Sequence, residues 1–264
     1  MATLLWDQTG SRFYEAGVDR GVLYLPDGKA VPWNGLISVN EDASGVEGTP
    51  IYFDGVKYAN IMTLGDFSAS LKAYTYPDEF LKLEGILEVG NGLFVTNQPQ
   101  GRFSLSYRTR IGNDVNGIDL GYKIHVVYNL TAIPSQKSYE TISESSAIEF
   151  EWAITSIPDP VPGFRPSAHL IFDTRKIGPL LLQDIEKALY GDDLNDAKLP
   201  SISTLTSFIG NWVIIRITDN YDGTWTAIGP DSLITMLDAT TFQIIQANAE
   251  YLDADTYAIG NLTY

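Results

Sequence analysis

Three stretches of this chain alternate apolar and polar residues with a period of two for long enough to leave little choice of fold. Between Asp66 and Tyr76, Phe67, Ala69, Leu71 and Ala73 fall on one side and Asp66, Ser68, Ser70 and Lys72 on the other. Residues 102–110 repeat the pattern, with Phe103, Leu105, Tyr107 and Thr109 against Arg102, Ser104, Ser106, Arg108 and Arg110. A third run sets Ile148, Phe150, Trp152 and Ile154 against Glu149, Glu151 and Thr155. A strand sends successive side chains to opposite faces, so each run reads as a strand with one dry and one wet face. The dry faces must meet in one core. This predicts a mainly β fold, a two-sheet antiparallel β-sandwich or barrel.

The rest of the chain adds elements around that core. Residues 1–19 show no clear period and read as an arm that packs on something else. GVLYLPDGKAVPWNGLISVN gives two short strands across a Pro26-Asp27-Gly28 turn, the second ending near Asn40. From Val39 to Phe80 the chain leaves one strand and returns in another. Within this excursion, IYFDGVKY carries a hairpin signal, because Asp54-Gly55 suits the positive φ angles of a type I′ turn. GYKIHVVYNL and SAHLIFDTR read as further strands, and Pro77 ends the 66–76 strand. A flanking helix is predicted over 179–190, opened by Pro179, striped by Leu181, Leu182, Ile185, Ala188 and Leu189, and stopped by Gly191. LPSISTLTSFIG suggests a short second helix. A border is placed near residue 210, giving a domain of 1–210 and a small C-terminal β module of 211–264.

Composition narrows the function. A net charge of −16 and a pI near 4.3 argue against binding duplex DNA through its phosphates, which needs clustered Lys and Arg. The chain has no Cys, so disulfides and thiolate sites are excluded. It has no apolar run of membrane-spanning length and no signal-peptide pattern at its start, so a protein made and kept in the cytoplasm is expected.

Chemical motifs are sparse. His125 and His169 lie in predicted strands without a Cys or HExxH context, and the preferred reading of each is a satisfied structural histidine. No GxSxG elbow or GxxxxGK[ST] loop occurs, and Gly90-Asn91-Gly92 does not extend to GxGxxG. Thr218 to Gly223 fails as a calcium loop, since Thr218 would be the first ligand and Gly229 would stand where a bidentate Glu belongs; it reads as a hairpin turn. Acidic neighbours such as Asp78 with Glu79, Glu149 with Glu151, or Asp192, Asp193 and Asp196 are expected by chance among 33 acids. No enzyme activity, cofactor or metal is expected.

Several segments together resemble the major tail proteins, or tail tube proteins, of long-tailed siphophages. They are VPWNGLISVNE (31–41), PIYFDGVKYAN (50–60), AYTYPDEF (73–80), FSLSYRTRIGND (103–114) and GYKIHVVY (121–128). SAHLIFDTRKI (167–177), the ALYG at the helix end and DGTWTAIGPDSLITMLDATTF (222–242) extend the resemblance over nearly the whole chain.

The resemblance implies a non-enzymatic virion protein that forms hexameric rings stacked into the tail tube. One sheet of each subunit would join its neighbours in a β-barrel around the lumen, with a helix outside. The early long loop, here 41–65, and the N-terminal arm would contact other subunits or rings. The implied partners are other copies of the chain, the tape measure protein and then double-stranded DNA in the lumen, and terminator and baseplate proteins at the tube ends. Candidate intersubunit residues are Glu41, Asp42, Glu47, Tyr52, Asp54 and Tyr58. Candidate lumen residues are Asp66, Ser68, Ser70, Glu149 and Glu151, whose carboxylates would repel passing phosphates. The alternation equally allows that face to point outward. Arg102, Arg108 and Arg110 fit an acidic lumen only if paired with carboxylates. The rival reading is a β-sandwich module that binds carbohydrate or a host surface through Tyr and Trp.

Overall fold

The computed structural model describes residues 4–42, 48–62, 67–134, 137, 139 and 147–210, and the strands named below beyond 210. Glu47 and Asp66 lie outside the described residues. The chain divides into two compact units, Met1–Asp173 and Thr174–Tyr264.

The first unit contains β1 (Phe13–Tyr24), β2 (Ala30–Trp33), β3 (Leu36–Glu41), β4 (Gly48–Phe53), β5 (Val56–Met62), β6 (Ser68–Ala73), α1 (Asp78–Glu84), β7 (Leu87–Gly90), β8 (Leu93–Val95), β9 (Phe103–Asn113), β10 (Gly117–Pro134), β11 (Phe150–Ser156) and β12 (His169–Asp173). Eight strands make one sheet in the order β2-β1-β9-β10-β11-β6-β3, with β12 also on β10. Every pairing is antiparallel. β10 is long enough to serve two neighbours on one edge, β12 over Lys123–Val127 and β11 over Leu130–Pro134.

β2 and β3 stand at opposite ends of the strand order, yet only Asn34 and Gly35 separate them. The sheet therefore curls until its ends face each other across one core. The result is a β-sandwich, not a closed barrel. Gly35 makes the short link possible: its φ is +76°, and a Cβ there would lie 2.8 Å from Thr75 Cγ2.

The alternation that predicted the strands is the burial pattern observed. In β6, Ala69, Leu71 and Ala73 are buried while Ser68, Ser70 and Lys72 are half-buried. In β11, Trp152 and Ile154 are buried. The centre of the core is aromatic, with Phe80 packed on Trp33, Phe103 and Trp152 at ring separations of 4.6, 5.4 and 5.2 Å.

Phe80 arrives on α1, a helix absent from the sequence reading. Pro77 caps it, Asp78 and Glu79 favour its N-terminal turn, and Gly85 stops it. It buries Phe80 and Leu83 against the sheet. A buried Phe contributes about 1.5–3 kcal/mol, enough to fix so short a helix that its own propensity would not hold.

Three expectations need correction. The strand expected to end near Asn40 is two, β2 and β3, because Asn34 and Gly35 turn the chain between them. The N-terminal arm is shorter than 1–19, because β1 starts at Phe13. Register shifts between Ala16 and Val18 and between Asp19 and Val22 break the alternation of its first half, which the sequence therefore does not show. The second face of β9 is wet only in part, at Ser104 and Arg110. Ser106 is fully buried and Arg108 nearly so, the latter forming two bonds to Asp19, Nε–Oδ1 at 2.8 Å and Nη2–Oδ2 at 3.0 Å, with its guanidinium over the Tyr122 ring. A guanidinium held by a bidentate carboxylate and a ring face tolerates burial that a lone charge does not.

The second unit contains α2 (Pro179–Tyr190), α3 (Ile202–Gly210), β13 (Trp212–Asp219), β14 (Trp225–Ile228), β15 (Ile234–Met236), β16 (Phe242–Ile244), β17 (Ala249–Asp253) and β18 (Thr256–Gly260). α2 has the expected bounds, with Pro179 at its start, Gly191 at its stop and Leu181, Ile185 and Leu189 buried. β14-β13-β18-β17 form one sheet and β15-β16 a hairpin. β13 and β14 pair antiparallel from Asp219 and Trp225; residues 220–223 of the turn expected at 218–223 lie outside the described residues.

Candidate functional site

The excursion between β3 and β6 is a hairpin of its own. Among the described residues β4 and β5 pair only with each other, and Phe53 lies opposite Val56. Asp54 and Gly55 both have positive φ, +52° and +77°, so the turn has the sign pattern predicted for it. Tyr52, Phe53, Val56 and Tyr58 are 63, 73, 69 and 78% exposed, and the Phe53 and Tyr58 rings pack on each other, edge to face, at 6.4 Å. A two-stranded ribbon has no core, so these side chains present apolar surface outward.

The root of the excursion is fastened on both sides. Asp42 N–H donates to the Ser68 carbonyl at 2.9 Å, while Ser156 donates both its N–H and its hydroxyl to the Phe67 carbonyl, at 3.0 and 3.1 Å. Glu41 and Asp42 sit at this root, and Tyr52, Asp54 and Tyr58 sit on the hairpin.

Three of the candidate lumen residues share one face. Cross-strand registry places Ser70 opposite Ala153, Ser68 opposite Thr155, and Glu151 opposite Lys72. β3 continues this face with Ser38 and Asn40, whose amide reaches Ser70 Oγ at 3.4 Å. Glu149 is exposed just before β11. Lys72 Nζ is 3.4 Å from Glu151 Oε2, so the described face is a hydroxyl and amide surface with one compensated ion pair.

The inner face at the same end holds a cluster that sequence reasoning missed. His125 on β10 and His169 on β12 meet, with Nδ1 of the former 3.0 Å from Nε2 of the latter. Glu41, at the end of β3, reaches across from the other wall, its Oε1 3.6 Å from His125 Nδ1 and its Oε2 3.8 Å from His169 Nδ1. Tyr107 stacks on His125 at 4.6 Å and donates its hydroxyl to Glu41 Oε1 at 2.8 Å. Thr109 Oγ1 is 3.0 Å from His125 Nε2, and the Phe67 ring stands edge-on to His169 at 4.9 Å.

Burial disfavours the charged imidazolium. It pushes His125 down to about 4, with the neighbouring His169 adding to the effect, and it lowers His169 as well. Both rings are therefore neutral at pH 7. The clue in the sequence is phase: His125 is two residues from Val127 and so shares its core-facing side, and His169 is the direct partner of Val127. Neither position reveals Glu41, which comes from a strand 84 positions before His125.

No protein-family model matches the sequence, and no curated protein matches it. Among solved structures, the chain is similar to the sheath/tube terminator of an extracellular contractile injection system (PVC) in its extended state. The identity is 14% and the TM-score 0.27, over 64% of this chain and 99% of that one. No helix among the described residues is long and apolar enough to cross a membrane.

Proposed function

We propose that the chain is a structural subunit that assembles with copies of itself into stacked rings, forming a phage tail tube through which the genome passes. The observation that carries this reading is the β4–β5 hairpin, an apolar arm with Tyr52, Phe53, Val56 and Tyr58 exposed on a ribbon lacking a core. Such a surface gains by docking on another copy, and a head-to-tail contact that does not close on itself builds a filament. The tail tube-like segments of the sequence support the same reading.

In this proposal the β3–β6–β11 outer face lines the lumen. Its hydroxyl and amide side chains, with Glu151 compensated by Lys72, offer passing DNA no uncompensated cation to hold it. The tape measure protein would occupy the lumen before DNA, and terminator and baseplate proteins would close the tube ends. The working place is the virion, after assembly in the host cytoplasm, and no catalysis is involved.

Negative-stain microscopy with analytical ultracentrifugation of the purified chain tests the proposal. Rings or tubes are the expected result. A persistent monomer absent from phage tails overturns it, and glycan binding by that monomer would establish the rival carbohydrate-binding module.

A further inference from the structure

We propose that Glu41, His125 and His169 form a binding site for a divalent transition metal, zinc above all, placed where the excursion leaves the sandwich. Two imidazole nitrogens and a carboxylate oxygen are a donor set suited to zinc. One ligand atom from each residue lies within 4.8 Å of the others. A tetrahedral ion bound at about 2.0–2.1 Å holds neighbouring ligand atoms about 3.3 Å apart. The His125 to His169 distance of 3.0 Å and the His125 to Glu41 distance of 3.6 Å bracket that value, so small side-chain adjustments suffice.

The surroundings orient the ligands as metal sites require. Ligation needs each ring to carry its hydrogen on the outer nitrogen. His125 Nε2–H then donates to Thr109 Oγ1, already 3.0 Å away, and His169 Nδ1–H faces Glu41 Oε2. Tyr107 donates to Glu41 Oε1, the oxygen counted above as a ligand, and so fixes the carboxylate. For His125 the Thr109 contact fixes tautomer and direction, the usual role of the residues behind metal ligands. The Glu41 side chain is 41% exposed, which leaves a water-accessible side for a fourth ligand. Lys123, a cation at this end of β10, is engaged by Glu15.

The ligands come from β3, β10 and β12, so a bound ion ties the strand that enters the excursion to the opposite wall. The inference stands on these residues alone and holds whether or not the chain forms tubes.

The test is calorimetric titration of metal-free full-length chain with Zn2+, and with Co2+ as a spectroscopic probe. The expected result is a single site with Kd below about 10 μM, a raised melting temperature, and the intense visible absorption of four-coordinate cobalt. His169→Gln and His125→Gln should each weaken binding by more than about 100-fold, and Thr109→Val by about 10- to 100-fold through loss of orientation. Melting in EDTA establishes that each variant is folded. If His125→Gln does not fold, the other two carry the comparison. Binding no tighter than about 1 mM in the wild type, or equal affinity in folded variants, overturns the proposal.

Discussion

Tyr107 donates a 2.8 Å hydrogen bond to Glu41, a residue 66 positions earlier, and so joins the middle of the sheet to its last strand. The two lie on facing walls, and the same phenol ring stacks on His125 at 4.6 Å. Burial and the adjacent carboxylate raise the phenol above its ordinary range, so it stays a donor throughout the neutral range. Tyr107→Phe keeps the stack and removes the bond. Chemical denaturation should show a loss of about 0.5–1.5 kcal/mol. An unchanged midpoint would show that the bond contributes nothing to holding the walls together.

The Arg108–Asp19 pair gives a pH signature. Hydrogen bonding to Arg108 holds the Asp19 carboxyl below its ordinary value. Its folded value is depressed, so its contribution is complete above the unfolded value, about 3.9, and is lost as pH falls toward the depressed one. Asp19→Asn should lower stability at pH 7 and flatten the acid limb of a melting curve series below about pH 4. Solvent reaches the Asp19 side chain, so the loss is set near 1 kcal/mol and not at the upper range for buried charged bonds.

Replacing Tyr52 and Tyr58 by Ser removes apolar area that the isolated subunit does not bury. Stability should stay within about 0.5 kcal/mol of wild type, as for other exposed positions. Ring and tube formation, read by sedimentation and microscopy, should fall sharply. Normal tubes from the double variant would remove the hairpin from the assembly contacts.

Gly35→Ala places a Cβ 2.8 Å from Thr75 Cγ2 and 3.2 Å from Thr75 N, at a φ of +76°. Strain at such a position costs about 1–3 kcal/mol, and the link it disturbs joins both ends of the sheet. A melting temperature equal to wild type would mean that this link can adopt another path.

Legibility in the sequence follows how local each cause is. β6 and β11 were readable because alternation, a nearest-neighbour property, decides which side is dry. The Asp54-Gly55 turn and α2 were readable from turn and cap chemistry within a few residues. The first half of β1 is hidden by its bulges, and α1 because one buried ring, Phe80, and not helix propensity, holds it in place. The burial of Ser106 and Arg108 on the second face of β9 is unreadable for a similar reason: Arg108 looks solvated until Asp19 and Tyr122 are placed beside it. The histidine cluster is the extreme case. Its three members lie on three strands, and only the curl of the sheet brings Glu41 to the other two.

The link at Asn34-Gly35 has a mechanical consequence. β3 is hydrogen-bonded within the sheet to β6 alone, is tethered at one end by two residues and runs at the other into the excursion. β6 leads back from that excursion and is locked to β11 from Ser68 to Ala73. A pull on the hairpin along the strands therefore loads β6 in shear along its ladder with β11, with β3 drawn the same way beside it, and does not peel that ladder open one bond at a time. Shear engages many hydrogen bonds together, so this ladder resists such a pull better than a peeled one would.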